Sequence, residues 1–274
     1  MYSGDCSKLW HNPELDIELY HAVCIKKRFP SHMHEHYVIC IIENGYQTFT
    51  HRKTKFKTSP GDIILLNPGD DHTGEPADET GFEYRALYPG IKHIQDISHE
   101  LTGINNKSVD FTKLIIQDKV LTSHIQNLHH SLTDQSHAIK QETLFFSVLN
   151  SLISGYTDMH NFVIQPNKEK AAVKKAGNYI YDHLNENITL TDIAEHVGLS
   201  RYYLLRTFHN EKGMPPHSYM ESLRISKSKE LLEKKMPLSR VAMDLGYSDQ
   251  SHFTNTFKRV MGITPGQYVK AVCS

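Results

Sequence analysis

The chain has 274 residues, enough for two domains that each bury a core. With 39% hydrophobic and 22% charged residues, its composition is that of a globular protein and excludes general disorder. No apolar run approaches the roughly 20 residues of a membrane span, and the N-terminus lacks the basic and apolar regions of a signal peptide. The four cysteines show no metal or redox spacing. We therefore expect reduced thiols in a cytoplasmic protein.

Charge is distributed unevenly along the chain, although the net charge is only −1. Residues 1–167 contain 14 lysines and arginines against 20 acidic residues, a net charge of −6. Residues 168–274 contain 16 against 11, a net charge of +5. A basic C-terminal part joined to an acidic N-terminal part is typical of a DNA-binding module attached to a domain that avoids DNA.

Residues 15–90 have the pattern of β structure. Three runs, 37–42, 46–49 and 62–66, are rich in β-branched and aromatic residues. Asn-Gly and Pro-Gly pairs, which favour turns, separate these runs. Many short strands at this spacing predict a sandwich or a small barrel.

Histidines cluster in this acidic part, which contains 14 of the 19 in the chain. His32, His34 and His36 alternate just before one predicted strand, and His72 follows another. Alternate residues of a strand share a face, so the four rings could converge. Converging imidazoles could bind zinc, iron or copper, or they could exchange hydrogen bonds with a polar or anionic ligand or with buried backbone.

From about residue 111 the apolar residues follow a helical period. Two apolar stripes, in 121–132 and 144–152, predict helices buried against the β domain, with packing of one stripe against a second subunit as an alternative. Residues 161–170 contain a proline and two asparagines and are predicted to be the interdomain linker. Helical patterns continue from 171 to the end of the chain.

The helical C-terminal part contains the same pattern twice, from Ile193 to Tyr219 and from Val241 to Tyr268. In each copy an alanine lets two helices touch, a glycine four residues later makes a turn, and a serine starts a second helix. These features predict helix-turn-helix motifs at about 190–211 and 238–260. One chain with two such motifs can bind two successive segments of a DNA groove.

Each second helix must bury one face and expose the other. Apolar residues four apart mark the buried face: Leu204 and Phe208, then Phe253 and Phe257. The remaining residues near the helix starts are predicted to read DNA bases, and these are Tyr202, Leu205, Arg206, Gln250, Ser251, His252 and Asn255. Four cations are predicted to contact phosphate, namely Arg201, Lys212, Lys258 and Arg259.

Residues 171–270 resemble the DNA-binding domain of the AraC/XylS family of bacterial transcription regulators. The second copy carries the family signature, from Val241-Ala242 through Gly246-Tyr247-Ser248-Asp249 to Thr264-Pro265. The resemblance implies two three-helix subdomains bridged by a long helix at about 217–234. It also implies that the two recognition helices enter adjacent segments of the major groove.

Residues 15–90 resemble the cupin-like ligand-binding domain that many of these regulators carry. The resemblance rests on the His-x-His pattern, Pro-Gly-Asp before Ile63, and Asn-Pro-Gly before His72. In metal-binding cupins a glutamate follows the second histidine by four or five residues, where this chain has Val38 and Ile39. This departure favours a metal-free effector pocket at His32, His34, His36 and His72, with purely structural histidines as the alternative.

These observations predict an α+β protein with an N-terminal cupin-like β-barrel and packed helices, followed by an all-α domain with two helix-turn-helix subdomains. The predicted domains are 1–160, with its barrel at about 15–90 and its helices at about 111–160, and 171–274. The expected function is effector-controlled transcription regulation in the cytoplasm, at the nucleoid, with no enzymatic activity and no cofactor. The expected partners are double-stranded DNA, a small-molecule effector, RNA polymerase and a second copy of the chain, with no membrane.

Two alternatives remain open from the sequence. The first is a metal-dependent cupin enzyme fused to a DNA-binding domain, which stoichiometric metal would favour. The second is a constitutive regulator whose barrel serves only for dimerisation. A ligand that alters DNA affinity would separate this second alternative from effector control, because a ligand shifts an equilibrium only by its differential affinity.

Overall fold

The computed structural model describes residues 4–103, 109–134, 137–158 and 170–272. The chain divides into two compact units, the first formed by Met1–Asp134 with Leu144–Ile164 and the second by Gln135–Thr143 with Gln165–Ser274. The predicted linker lies outside the described residues except for Lys170, which begins a helix. Within the described ranges, no helix is both long enough and apolar enough to span a membrane.

Within its described residues, the first unit contains ten strands in two sheets. The strands are β1 (Cys6–Asn12), β2 (Ile17–Cys24), β3 (Phe29–His32), β4 (Val38–Gly45), β5 (Gln47–His51), β6 (Thr54–Thr58), β7 (Asp62–Leu66), β8 (His72–Pro76), β9 (Phe82–Tyr88) and β10 (Ile115–Gln117). One sheet has the order β1-β2-β9-β4-β7-β10 and the other β3-β8-β5-β6. Every paired neighbour is antiparallel.

The cupin-like α+β architecture is confirmed, but the barrel is not closed. The strands pair as two separate sheets, whose inward side chains share one core that includes Cys40, Ile64 and Tyr84 from one sheet and Phe49 from the other. The β structure also begins earlier than predicted, at Cys6. The residues of β1 are mostly exposed, so this edge strand lacks the apolar alternation by which a strand is recognised in a sequence.

Three helices complete the first unit: α1 (Ile91–Thr102), α2 (Lys119–Thr133) and the 144–156 part of α3 (Ala138–Tyr156). The stripe predicted on α2 is buried, at Leu121, Ile125, Leu128 and Leu132. The stripe predicted on α3 is buried at Phe145, Val148, Leu149 and Leu152. Helix α1 was not predicted from the sequence, because it buries only Ile94, Ile97 and Ser98 among polar residues.

His129 on α2 joins this helix to the sheet. Its ring is fully buried, with Nε2 3.3 Å from the Tyr20 carbonyl oxygen and Nδ1 3.2 Å from Arg85 Nη1. The Trp10 ring contacts it edge-on at 5.6 Å. Burial, followed by the nearby Arg85 cation, lowers the pKa of His129 to about 3. The imidazole is therefore neutral in the folded unit over the usual pH range.

We expect the first unit to lose stability as the pH falls below about 6.5, because the unfolded chain then binds a proton at His129 that the folded chain does not. The expected loss from this group is about 2 kcal/mol between pH 6.5 and 5. Fluorescence of Trp10, the single tryptophan, can follow urea unfolding at both pH values. In His129→Gln the amide can keep both hydrogen bonds without titrating, and an equal acid loss in wild type and variant would contradict the assignment.

In the described residues from 170 to 272, the second unit consists of helices joined by loops. Its helices are α4 (Lys170–Asp182), α5 (Leu190–Val197), α6 (Arg201–Lys212), α7 (Pro216–Glu233), α8 (Leu238–Asp244), α9 (Gln250–Met261) and α10 (Pro265–Val272). The long bridging helix predicted at about 217–234 is α7. Residues of α7, α8 and α9 share one apolar core, in which Leu232, Val241 and Phe257 have no exposed surface. This core supports the second helix-turn-helix motif.

Candidate functional site

The first helix-turn-helix motif is α5, a turn and α6. A capping box begins α5: Thr189 N donates to Asp192 Oδ2 at 2.7 Å, and Asp192 N donates to Thr189 Oγ1 at 3.0 Å. Gly198 ends α5 with a φ of 69°, in the left-handed region. Ser200 Oγ then accepts a hydrogen bond from Tyr203 N at 3.3 Å and begins α6.

The exposed face of α6 differs from the predicted one. Tyr202 and Leu205 are buried, with 5% and 7% of their surface exposed, so their prediction as base-reading residues is wrong. Helix α6 contacts α4, α5 and α7, and it therefore buries more than the single stripe of Leu204 and Phe208. Arg206 is partly exposed, and its guanidinium lies 5.3 Å from the centre of the Tyr203 ring.

The second motif is α8, a turn and α9. Gly246 makes the turn with a φ of 71°. The residue that caps α9 is Asp249, whose Oδ1 accepts from His252 N at 2.8 Å, and not the serine expected from the repeat. Asp is as good an N-cap as Ser, because either side-chain oxygen can satisfy an unpaired amide of the first turn.

Helix α9 presents a polar face that starts at its first residue. Gln250, Ser251 and Asn255 are exposed, as predicted. His252 is only partly exposed, and its Nδ1 lies 3.1 Å from Ser248 Oγ. The buried positions of α9 are Phe253, Thr256 and Phe257.

The four predicted phosphate contacts occur in different settings. Lys258 is exposed in the last turn of α9, and Lys212 is exposed at the end of α6 with its amine 5.2 Å from the Tyr219 ring centre. Arg201 is partly exposed as the first residue of α6. Arg259 donates from Nη2 to Glu221 Oε1 at 2.9 Å, so part of its charge is already neutralised.

The first unit contains a cavity of about 290 Å³ whose walls come from both sheets. Its lining includes apolar side chains such as Phe29, Phe49 and Leu66. It also includes three tyrosines, Tyr20, Tyr84 and Tyr88, and a group of histidines. Such a mixture of apolar surface and a few polar groups is typical of small-molecule sites.

His32, His34 and His72 converge at this cavity. Their ring centres lie 5.0 Å (His32–His34), 4.3 Å (His32–His72) and 5.2 Å (His34–His72) apart. His36 also lines the cavity, but it is exposed and does not join the three-ring cluster. Of the four predicted histidines, the structure therefore brings three together.

The predicted cause of this convergence was wrong. Strand β3 ends at His32, and His34 and His36 lie in the loop that follows, so strand alternation does not align them. His32 pairs with His72 across β3 and β8, and the Gly69 amide donates to the His34 carbonyl oxygen at 2.9 Å. Register and this loop contact place the three rings together.

Two of these histidines, His34 and His72, have a lowered pKa. Burial, with the neighbouring His32 and His36 as smaller causes, lowers the pKa of His34. Burial also lowers the pKa of His72 to about 4, although its hydrogen bond with the Asp70 carbonyl oxygen acts in the opposite direction. Among the described residues, the lining of the cavity includes Glu18 and Glu35 and no lysine or arginine. Lys27 is not part of the lining, but its Nζ lies 3.5 Å from the Tyr20 hydroxyl.

Sequence reasoning missed the remaining polar groups of this cavity. Gln47 lies on β5 and is 9% exposed, and its buried Oε1 has no hydrogen-bond partner within the described part of the chain. A lone glutamine on a strand carries no signal of its own in the sequence. In the sequence, the three tyrosines of the cavity cannot be distinguished from ordinary strand residues.

Comparison with known proteins finds one domain family in the N-terminal part of the chain and another in the C-terminal part. The model of the AraC-like ligand binding domain matches residues 14–149, and that of a helix-turn-helix domain matches residues 193–271. The uncharacterized HTH-type transcriptional regulator YbfI of Bacillus subtilis (strain 168) is 36% identical over 241 residues, covering 88% of this chain and 87% of that protein. The arabinose operon regulatory protein of Escherichia coli (strain K12) is 26% identical, covering 85% and 80%.

Among solved structures, the C-terminal domain of AraT, a response regulator from Geobacillus stearothermophilus, is 31% identical. It covers 38% of this chain and 88% of its own, with a TM-score of 0.37. The ligand-binding match precedes the helix-turn-helix match along the chain, as the two units do. A relative more than 30% identical covers most of the chain. The chain therefore belongs to the AraC/XylS-type transcriptional regulators.

Proposed function

We propose that this protein is a sequence-specific transcription regulator whose DNA binding is controlled by a small, uncharged effector held in the first unit. The observation that carries the proposal is the pair of capped recognition helices, α6 and α9. Helix α9 exposes polar residues from its first position, and α6 leaves Arg201 and Arg206 partly exposed. Relatives that are regulators support this role rather than an enzymatic one. RNA polymerase and a second copy of the chain are the protein partners that the family resemblance supports.

The effector class follows from the walls of the cavity. The acidic side chains of Glu18 and Glu35 disfavour an anion, and the apolar residues Phe29 and Phe49 suit a ring or a hydrocarbon edge. The buried Gln47 Oε1 without a partner would gain a hydrogen bond from a ligand O–H or N–H group. The proposed effector is therefore an uncharged molecule with at least one hydrogen-bond donor.

We expect His34→Ala to blunt the response to such an effector by removing one wall of the cavity. The experiment is a thermal-shift screen of neutral compounds, followed by promoter affinity with and without each hit. His124→Ala, at an exposed histidine of α2 outside the cavity lining, is the matched control and should respond as wild type does. An unchanged response in a well-folded His34→Ala protein would contradict the assignment of the effector to this cavity. If no compound in the screen alters DNA affinity, a constitutive regulator is favoured.

The proposed base-reading residues are Arg206 on α6 and four residues of α9, namely Gln250, Ser251, His252 and Asn255. Arginine can donate two hydrogen bonds to guanine, and glutamine or asparagine can pair with adenine. The Tyr203 ring beside Arg206 restricts the guanidinium and lowers the entropy lost on binding. The proposed phosphate contacts are Arg201, Lys212 and Lys258, with Arg259 after release of Glu221.

We expect Arg206→Ala to cost about 1–3 kcal/mol and to relax sequence preference at one position of the binding site. Competition among randomised DNA duplexes measures both quantities in one experiment. Lys258→Ala is the matched comparison, because loss of a phosphate contact should weaken all sequences evenly. If Arg206→Ala also weakens all sequences evenly, then Arg206 contacts backbone and not a base.

A further inference from the structure

A glutamate outside the helix-turn-helix repeat completes the start of α5. A helix begins with four amide groups that have no acceptor within the helix. In α5 two of them, at Thr189 and Asp192, donate to the side chains of the capping box. The other two, at Leu190 and Thr191, donate to Oε2 of Glu142, with the Thr191 contact at 3.3 Å. All four amides at the start of α5 thus have acceptors, and two of them depend on Glu142.

The surroundings of Glu142 make this contact important. The residue is only 7% exposed, and Thr191 Oγ1 donates to its second carboxylate oxygen, Oε1, at 2.9 Å. Burial raises the pKa of Glu142, while the hydrogen bonds from Thr191 and Leu190 and the nearby Arg201 cation act in the opposite direction. Loss of this side chain would leave buried donors without acceptors, which costs more than the loss of an exposed contact.

Glu142 stands on α3, a helix that the two units share. Residues 138–143 of this helix belong to the second unit and residues 144–156 to the first. Ala138 is buried in the former part and Val148 in the latter. A displacement of α3 within the first unit would therefore reach Glu142 along one continuous helix.

We infer that Glu142 is a positioning residue for DNA binding and that α3 is the segment through which an effector changes DNA affinity. Helix α6, the first recognition helix, follows α5 after a short turn and contacts it. The direction of α6 therefore depends on how the start of α5 is held. Glu142 itself is buried and acts through α5 rather than by contact with DNA. Both parts of this inference rest on the proposed function, and they assign the route of regulation within it.

The first test compares the full-length wild type with three variants, on a DNA duplex that the wild type selects from a randomised pool. Glu142→Ala removes both acceptor oxygens and should lower the affinity at least about 10-fold. Glu142→Gln keeps an oxygen for the two amides of α5, so its affinity should stay within about 3-fold of wild type. Glu195→Ala, at an exposed glutamate of α5, makes the same change in charge and should bind as wild type does.

Hydroxyl-radical footprinting separates positioning from a general loss of stability. In Glu142→Ala we expect protection to be lost in the half of the site whose sequence preference changes in Arg206→Ala, and to remain in the half bound by α9. A general loss of folded protein would weaken both halves evenly, and that result would contradict the positioning role. Equal affinity of wild type and Glu142→Ala would contradict it as well.

Hydrogen exchange tests the role of α3 with the selected duplex alone and needs no effector. Because coupling between two sites is reciprocal, DNA bound to the second unit should slow exchange in the 144–156 part of α3. We expect this slowing in wild type and Glu142→Gln and its absence in Glu142→Ala, each at saturating duplex. Exchange in wild type that does not respond to DNA would overturn the assignment of α3. If wild type selects no duplex, the proposed function fails too, whereas if only the differences between the variants are missing, this inference alone fails.

Discussion

Replacement of Arg224 by methionine is expected to destabilise the second unit by about 2–6 kcal/mol and to abolish promoter binding, because two carbonyl oxygens lose their hydrogen-bond donor. Arg224 lies on α7 and is 1% exposed. Its Nε donates to the Leu184 carbonyl oxygen at 2.8 Å, and its Nη2 donates to the Glu186 carbonyl oxygen at 2.9 Å. Methionine fills much of the same volume but leaves both carbonyls unpaired, at about 1–3 kcal/mol each.

Arg224 also fixes the second helix-turn-helix motif. Its guanidinium carbon lies 5.5 Å from the centre of the Tyr247 ring, in the turn before α9. A Cβ atom on Gly246 would lie 2.7 Å from the Asn185 carbonyl oxygen and 2.9 Å from Arg224 Nη2, so only glycine allows this approach. One side chain thus connects α7, the chain after α4 and the turn that aims α9.

Urea unfolding of the full chain, followed by far-UV circular dichroism, measures the stability change. Burial lowers the pKa of Arg224 to about 10, so it remains a cation at neutral pH. Arg224→Lys keeps the charge but loses the planar fork that reaches two carbonyls, and it should also be strongly destabilised. Arg240→Met is the matched control on α8: its ion pair with Asp244 is exposed, and its loss should cost less than about 1 kcal/mol. Equal effects at both positions would contradict this role for Arg224.

The helical half of the fold was predictable because its signals are local. The capping box of Thr189 and Asp192 and the left-handed glycines at 198 and 246 each mark a helix end within a few residues of sequence. These local rules repeat in the second motif. The outer bounds predicted for the two motifs, at about 190–211 and 238–260, and those of the bridging helix, at about 217–234, therefore lie within one residue of the observed ones.

The exposed face of α6 was not predictable in the same way. Tyr202, Leu204, Leu205 and Phe208 are compatible with more than one apolar stripe, and the sequence does not say how many neighbours a helix has. Contacts with α4, α5 and α7 bury Tyr202 and Leu205 as well as Leu204 and Phe208. In α9, by contrast, the stripe of Phe253 and Phe257 correctly separated the buried face from the polar one.

The candidate pocket shows a similar limit. The sequence identified His32, His34 and His72 as candidate effector-binding residues. The contact between the His34 loop and Gly69, however, depends on long-range folding. Neither the burial of Arg224 nor that of Gln47 has a local signal, because each follows from pairing with distant backbone or strands. Local rules thus predicted the helices and strands, whereas tertiary packing determines which polar groups line the cavity.

DNA affinity is expected to fall steeply with salt and to do so less steeply in Lys258→Ala. Three proposed phosphate contacts, at Arg201, Lys212 and Lys258, give a slope of log K against log salt of about −2.7, since each contact contributes about −0.9. Affinity should then fall about 40-fold between 50 and 200 mM salt. Without Lys258 the slope becomes about −1.8, and the same change in salt costs about 12-fold.

Fluorescence anisotropy of a labelled promoter duplex at four or five salt concentrations measures these slopes. Arg240→Ala removes a cation from the same unit, on α8, that is not among the proposed phosphate contacts, and it should keep the wild-type slope. A Lys258→Ala slope equal to that of wild type would remove Lys258 from the phosphate set. Equal changes in both variants would instead mean that net charge, and not contact at the end of α9, controls the affinity.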